Sequence, residues 1–106
     1  MNLNKYQKGA LETDMGQATN PDTALYYTAL GLNGEAGEYA EKVKKHMRDG
    51  RVLGDDAANE LGDTLWYLAV AAWTIGYSLE EIGQMNLAKL AKRAKRKKLH
   101  GAGDDR

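Results

Sequence analysis

Apolar residues recur at helical spacing over four stretches of the chain. The first runs from Leu3 to Glu12. The next nine positions, TDMGQATNP (13–21), are rich in turn formers and read as a loop. Asp22 or Thr23 stands where a cap would open a second helix reaching about Arg48. Along it Leu25, Leu32, Ala36, Tyr39, Ala40, Val43 and Met47 follow helical periodicity. DGRVLG (49–54) reads as a second loop. A third helix starts at Asp55 or Asp56, whose charge suits the positive end of a helix. Its apolar stripe is Leu61, Leu65, Leu68, Ala69, Ala72 and Ile75, and Gly76 stops it. Ser78 and Glu81 then form a capping box. It opens a fourth helix with Leu79, Ile82, Leu87 and Leu90 as its apolar positions, expected to end in the mid-90s. The tail from Lys92 to Arg106 is basic and then rich in Gly and Asp, and no internal repeat is present.

Composition narrows the fold class. The 106 residues suffice for a single domain, 1–106, with no room for a second core. Ala, Leu, Glu and Lys are abundant, Phe is absent and Pro21 is the one proline. The expected architecture is all-α, a four- to five-helix bundle. Trp66, Trp73, Tyr26, Tyr67 and Tyr77 offer more aromatic surface than one thin bundle core needs. A homo-oligomer, dimer or tetramer, is therefore expected. The alternative is that these rings plug the ends of a monomeric bundle.

Charge and cysteine content exclude several function classes. Formal net charge is zero, which gives no general attraction to nucleic acid or anionic membrane. The run Lys92 to Lys98 reads as a solvated helix end. Cysteine is absent, so there is neither a disulfide framework nor a thiolate metal site. His46 and His100 are too far apart in sequence to make a metal-spaced pair. The N-terminus is too polar for a signal peptide, and no stretch approaches the ~20 apolar residues of a membrane span. A soluble, cytoplasmic protein is expected.

The chemistry lies in paired acids. Glu35 and Glu38 sit three apart on the second helix, roughly 60° apart on its wheel. Glu60 and Asp63 repeat that spacing on the third. Asp56 lies one turn before them and Tyr67 one turn after. A short loop makes the two helices antiparallel neighbours, so the pairs can converge. Four converging carboxylates repel and raise one another's pKa unless a cation joins them. Mg²⁺ fits an all-oxygen set and commonly bridges protein carboxylates to phosphates, with Mn²⁺ as the alternative. The lack of Cys and of an ExxH pair argues against zinc and against a di-iron bundle. Gly31, Gly34 and Gly37 run beside the acids and Gly62 precedes Asp63, which suggests a close approach of backbone or ligand. The alternative is an ordinary solvated acidic face.

These residues resemble the signature of the MazG-like, all-α nucleoside triphosphate pyrophosphatases, ExxE followed by ExxD on the next helix. Here it stands as Glu35-Ala36-Gly37-Glu38 and Glu60-Leu61-Gly62-Asp63, within GLNGEAGE and ELGDTLWYLA. NLAKLAKR resembles a downstream Asn-x-x-Lys element, here Asn86 and Lys89. GAGDDR resembles a Gly-x-Gly-Asp-x-Arg tail, and Tyr6-Gln7 a recurrent pair in the first helix. Asn59 departs from the pattern, because many relatives carry a further Glu there.

The resemblance implies Mg²⁺-dependent hydrolysis of a (deoxy)nucleoside triphosphate at the α-phosphorus, giving monophosphate and pyrophosphate. Nucleotide-pool house-cleaning or dNTP balance would be its role. Glu35, Glu38, Glu60 and Asp63 would hold the metal, and Glu38 or Glu35 would orient the attacking water. Lys89 is a candidate phosphate clamp and Asn86 a polar contact. Lys42, Lys45 and Arg93 are further phosphate candidates. Lys89 also reads as a solvated helix lysine, and Lys42 and Lys45 as partners of acids on their own helix. Trp66, with Tyr67, is a candidate platform for the base, though both also read as core. The same metal site would serve phosphoribosyl-ATP or a guanosine alarmone. A non-catalytic helical nucleotide-binding module is the remaining alternative.

Overall fold

Local capping chemistry sets most of the helix ends. In the computed structural model, which describes residues 1–100, the elements are α1 (Leu3–Glu12), α2 (Ala24–Asp49), α3 (Asp55–Thr74) and α4 (Leu79–His100). Asn2 opens α1 by accepting the Lys5 amide at 2.9 Å. Thr23 stands at the N-cap of α2 but makes no side-chain cap bond. Gly50 ends α2 with φ +70°, and Gly76 follows α3 with φ +91°, conformations that glycine adopts without a Cβ penalty. The capping box forms as the sequence predicts. The Ser78 amide donates to Glu81 Oε1 at 2.9 Å, and the Glu81 amide donates to Ser78 Oγ at 3.1 Å. Helix α4 outlasts the expected mid-90s end because no Gly or Pro interrupts its Ala, Lys and Arg before Gly101. The GAGDDR segment and Arg106 lie outside the described residues.

Helices α2 and α3 pack as an antiparallel hairpin in a regular register. Near its loop Lys42 meets Asp56 at 3.9 Å. Two turns on, Glu35 faces Asp63. One further turn on, the Tyr67 ring lies against α2 at Gly31, where an added Cβ would overlap the ring carbons. Beyond that lie Thr28 and Val70, the largest fully buried side chains described. The Thr28 hydroxyl is satisfied within its own helix, donating to the Ala24 carbonyl at 2.8 Å. The expectation of close approach holds at Gly31 alone. Gly34, Gly37 and Gly62 have no protein atom within 4 Å of an added Cβ, because their faces of the helices meet no neighbour.

The core is thin and made of small residues. Ala10, Ala18, Ala69, Val70 and Leu79 form it, flanked by Tyr6, Leu11, Leu65 and Trp66. Of the stripe expected on α3, Leu65, Ala69 and Ala72 are buried or half-buried, whereas Leu61, Leu68 and Ile75 are exposed. Loop 13–21 wraps around Asp14, whose carboxylate accepts from the Gly16 and Ala18 amides and the Thr19 hydroxyl at 3.0, 3.1 and 2.6 Å. These bonds seat Ala18 in the core and hold the Asp14 carboxyl below its usual range, the Thr19 bond contributing most.

Helix α1 crosses α3 and is fastened by buried Gln7. Its Nε2 donates to the Ala69 and Tyr77 carbonyls at 3.0 and 3.2 Å, and its Oε1 accepts the Leu79 amide at 3.1 Å. One side chain thus joins α1, α3, the 75–78 turn and the start of α4. Beyond that start, α4 packs on α1 and α3; among the described residues its backbone does not approach α2, and Ile82 near its start lines an apolar pocket with Leu25, Ala29 and Leu32 of α2. The radius of gyration is 17.0 Å, against the ~13 Å of a compact chain this long. None of the helices, among the described residues, is long and apolar enough to cross a membrane.

Gln7→Leu keeps the volume but leaves the buried Leu79 amide and the Tyr77 carbonyl without their partner. A loss of about 2–3 kcal/mol in urea unfolding is expected. A loss under about 0.5 kcal/mol would show that Gln7 does not fasten the helices.

Candidate metal centre

The hairpin register brings acids from both helices together. Glu35 of α2 and Glu60 and Asp63 of α3 each present an oxygen, and these atoms all lie within 4.8 Å of one another. Glu35 and Glu60 are half-buried and Asp63 is exposed. The three-residue spacing of Glu60 and Asp63 puts both on the face turned to α2. Of the four acids singled out in the sequence, the structure groups three. Glu38 is exposed and stands outside the trio, although its charge still reaches Glu35. Asp56 is occupied with Lys42 and does not join.

Electrostatics register this crowding. The Glu35 carboxyl is raised above its ordinary value, first by partial burial and then by the charges of Asp63, Glu60 and Glu38. Its protonated form is therefore favoured in the folded state. The stability it contributes is present at low pH and is lost as pH rises through the raised folded value. A cation held among the three would offset that loss. The donor set is suited to a hard divalent ion, being carboxylate oxygen with neither thiolate nor imidazole in the group.

Two phenols border the acids. Tyr67, one turn beyond Asp63, has its hydroxyl raised first by burial, then by its hydrogen bond with Tyr27 and by the charges of Tyr27, Glu35 and Asp63. Tyr6 of α1 is raised by burial and by the charge of Asp63. The periodicity of α3 accounts for Tyr67. Nothing in the spacing of α1 announced that Tyr6 stands within reach of Asp63, although the Tyr6-Gln7 pair had marked the helix. An aromatic chain then ties the site to loop 13–21. Trp66 meets Tyr67 edge-on at 5.0 Å, and Tyr67 meets Tyr27 at 6.1 Å. The Tyr27 hydroxyl donates to Gln17 Oε1 at 3.1 Å, and the Trp66 indole N–H donates to Thr13 Oγ1 at 2.8 Å.

The cationic candidates are less concentrated. Lys42 pairs across the hairpin with Asp56, not with an acid of its own helix. Lys45 acts on Glu41 and Asp49 of α2, the local pairing considered from the sequence. Asn86 and Lys89 are exposed on α4 and form no bond to the acids, and Arg93 is half-buried further along the same helix. The chain on its own therefore brings the acids together without bringing the α4 residues to α2. His46 is exposed and contacts the Arg51 carbonyl at the end of α2.

Known proteins resemble this chain in sequence. The profile of the MazG nucleotide pyrophosphohydrolase domain matches residues 25–97, from the first turn of α2 through most of α4. The Gene 37 protein of Mycobacterium phage L5 is 39% identical over 114 aligned residues, covering 91% of this chain and 100% of that protein. No solved structure matches. The matched span holds both acidic pairs, and the chain belongs to the MazG nucleotide pyrophosphohydrolase family.

Proposed function

We propose that this protein hydrolyses a nucleoside or deoxynucleoside triphosphate to the monophosphate and pyrophosphate, using Mg²⁺ or Mn²⁺, in house-cleaning or balance of the nucleotide pool. The observation that carries this reading is the convergence of Glu35, Glu60 and Asp63 on adjacent helices inside the span matched to the family. Those three would hold the ion, with Glu38 one turn from Glu35 at the exposed side. When bound, the ion supplies charge neutralisation at the phosphates and lowers the pKa of a bound water. Glu38, solvent-facing beside the trio, is suited to orient the attacking water, and Glu35 is the second candidate. Trp66 would contact the base. Lys42 and Lys45 would reach phosphates only by giving up their present acidic neighbours.

Asn86, Lys89 and Arg93 serve the phosphates in this reading through association, because among the described residues the backbone of α4 does not approach that of α2 within one chain. A homodimer or homotetramer, with α4 of one copy near the acids of another, would complete the site. Exposed Leu30, Leu87 and Tyr26 supply apolar surface for it. Light scattering should give two or four times the 11.7 kDa chain mass. A single-chain mass at micromolar concentration would sink the assembly.

Pyrophosphate release from a panel of NTPs and dNTPs with Mg²⁺ tests the activity. Glu38→Gln and Asp63→Asn should each lower kcat by about 100-fold or more. Release that neither substitution changes overturns the residue roles. Tight nucleotide binding with no product would instead identify a binding module.

Glu35→Gln tests the electrostatics separately. In metal-free buffer the wild type should lose stability relative to this variant as pH rises above about 4.5, the ordinary Glu value. Mg²⁺ should then raise the Tm of the wild type and leave the variant unmoved. Equal pH profiles of Tm for the two proteins would show that the three acids do not repel in the folded state.

A further inference from the structure

From Gln84 to Lys98, helix α4 stands clear of the rest of the chain: every residue is exposed except Arg93, which is half-buried. This free half is strongly charged. Seven of the ten residues 89–98 are Lys or Arg, and no acid occurs between Glu81 and His100. The whole chain balances 15 cations against 15 anions, so the remainder carries an equal net negative charge. Net charge describes the molecule as a whole, whereas the field at α4 is that of its own cations.

Two local explanations fall short. Cations suit the negative end of a helix, but that effect fades beyond the last turn, and five of the seven lie before it, from Lys89 to Arg96. Ion pairing along the helix is ruled out, because no acid stands three or four residues from any of them. Instead Lys89 and Arg93, and Lys92 and Arg96, are like charges at i,i+4, which costs helix stability. The cations are also arranged. At 100° per residue, Lys89, Lys92, Arg93 and Arg96 fall within an arc of about 100°, flanked by Lys95 and Lys97. Leu87, Leu90, Ala91 and Ala94 fall on the opposite side.

That apolar side decides against a membrane. Helices that lie in a membrane interface bury bulky Trp, Phe and Leu, and here two of the four positions are alanine. The charge spacing favours a duplex. Ten helical residues span about 15 Å, so seven cations stand roughly 2 Å apart along the axis. Duplex DNA carries one phosphate charge per ~1.7 Å of its axis, and either strand alone one per ~3.4 Å.

We propose that the cationic half of α4 is a docking surface for the phosphate backbone of duplex DNA, independent of base sequence. Lys89 and Arg93 are assigned above to the phosphates of the substrate, so Lys92, Lys95, Lys97 and Lys98 carry the contact. Each is exposed, and each phosphate it neutralises releases condensed counterions. The surface lies outside the acidic centre, and its binding is independent of the hydrolase reading.

Fluorescence anisotropy of a labelled 20-base-pair duplex, titrated with the full chain at 50 mM NaCl, should give a Kd of about 1–10 µM. Log K should fall with log[NaCl] at a slope of about −4 to −5, the value for about five phosphates. Combining Lys92→Gln, Lys95→Gln, Lys97→Gln and Lys98→Gln should reduce the slope to about −1 and weaken binding at least 30-fold. Gln is a comparable helix former, so the circular dichroism and Tm of this variant should match wild type. Lys8→Gln with Lys44→Gln removes exposed charge from α1 and α2 and should leave the Kd within twofold. Anisotropy that does not rise with the wild type overturns the proposal, and so does an equal loss in the two variants. Sedimentation with phosphatidylserine vesicles provides the membrane comparison, and binding to the vesicles but not to the duplex also overturns it. Pyrophosphate release, read separately, should be unchanged in the four-lysine variant, so DNA binding and hydrolysis stand or fall independently.

Discussion

Everything at the acidic centre depends on the register in which α2 meets α3, and that register is fixed where the Tyr67 ring lies on the bare backbone of Gly31. Any side chain at position 31 would collide with the ring. With the rung in place, Glu35 must face Asp63 one turn away, and Lys42 must face Asp56 beyond it. The pairings differ in sign. The exposed Lys42–Asp56 pair contributes little, whereas the trio of Glu35, Glu60 and Asp63 opposes the packing that creates it. Thr28 and Val70, both fully buried, lie beyond the Tyr67–Gly31 contact on the side away from the acids.

Helix α1 contributes to this arrangement indirectly. Gln7 satisfies groups on α3 and on both sides of the 75–78 turn, so it sets the angle at which α1 crosses the hairpin. That angle brings Tyr6 within reach of the charge of Asp63 and puts Thr13 under the Trp66 indole. Loop 13–21, ordered around Asp14, then ties Gln17 to Tyr27 and hence to Tyr67. Two routes therefore lead from α1 and its loop to the acids, one through each neighbouring aromatic residue of α3. The family match begins only at residue 25.

Much of the fold was legible because its signals are local. The Ser78–Glu81 box and Gly76 act within a turn of their own positions, and each marks the helix end it was expected to mark, while Gly50 ends α2 at the start of the expected 49–54 loop. What spacing does not carry is the direction in which a face looks. Gly31, Gly34 and Gly37 share one periodicity, yet only Gly31 looks onto α3. Glu38 has the spacing of a fourth ligand and is exposed one turn from Glu35, whereas the oxygens that lie within 4.8 Å of one another are those of Glu35, Glu60 and Asp63. The end of α4 was placed in the mid-90s, within a basic run read as a solvated helix end, although Lys, Arg and Ala are good helix formers and carry the helix to His100. Tyr6 was invisible as a neighbour of the acids because its placement rests on Gln7 contacts more than sixty residues away in sequence.

The same geometry explains why the chain reads as unfinished by itself. Its largest fully buried side chains are a valine and a threonine, and the rest of the core is mostly alanine. Leu25, Leu61 and Ile75, which the helical pattern marks as core, are each at least half exposed. Small domains have little apolar burial to spare, and here the acid cluster works against what there is. Anything that binds the folded state alone raises its stability by mass action. A cation among the carboxylates would remove the repulsion, and a second copy over the open helix faces would supply the missing burial. On the proposed reading these are coupled. The copy that covers the apolar faces would also bring Lys89 and Asn86 toward a centre that has acids of its own but few uncommitted cations, so assembly would favour substrate binding and substrate binding would favour assembly.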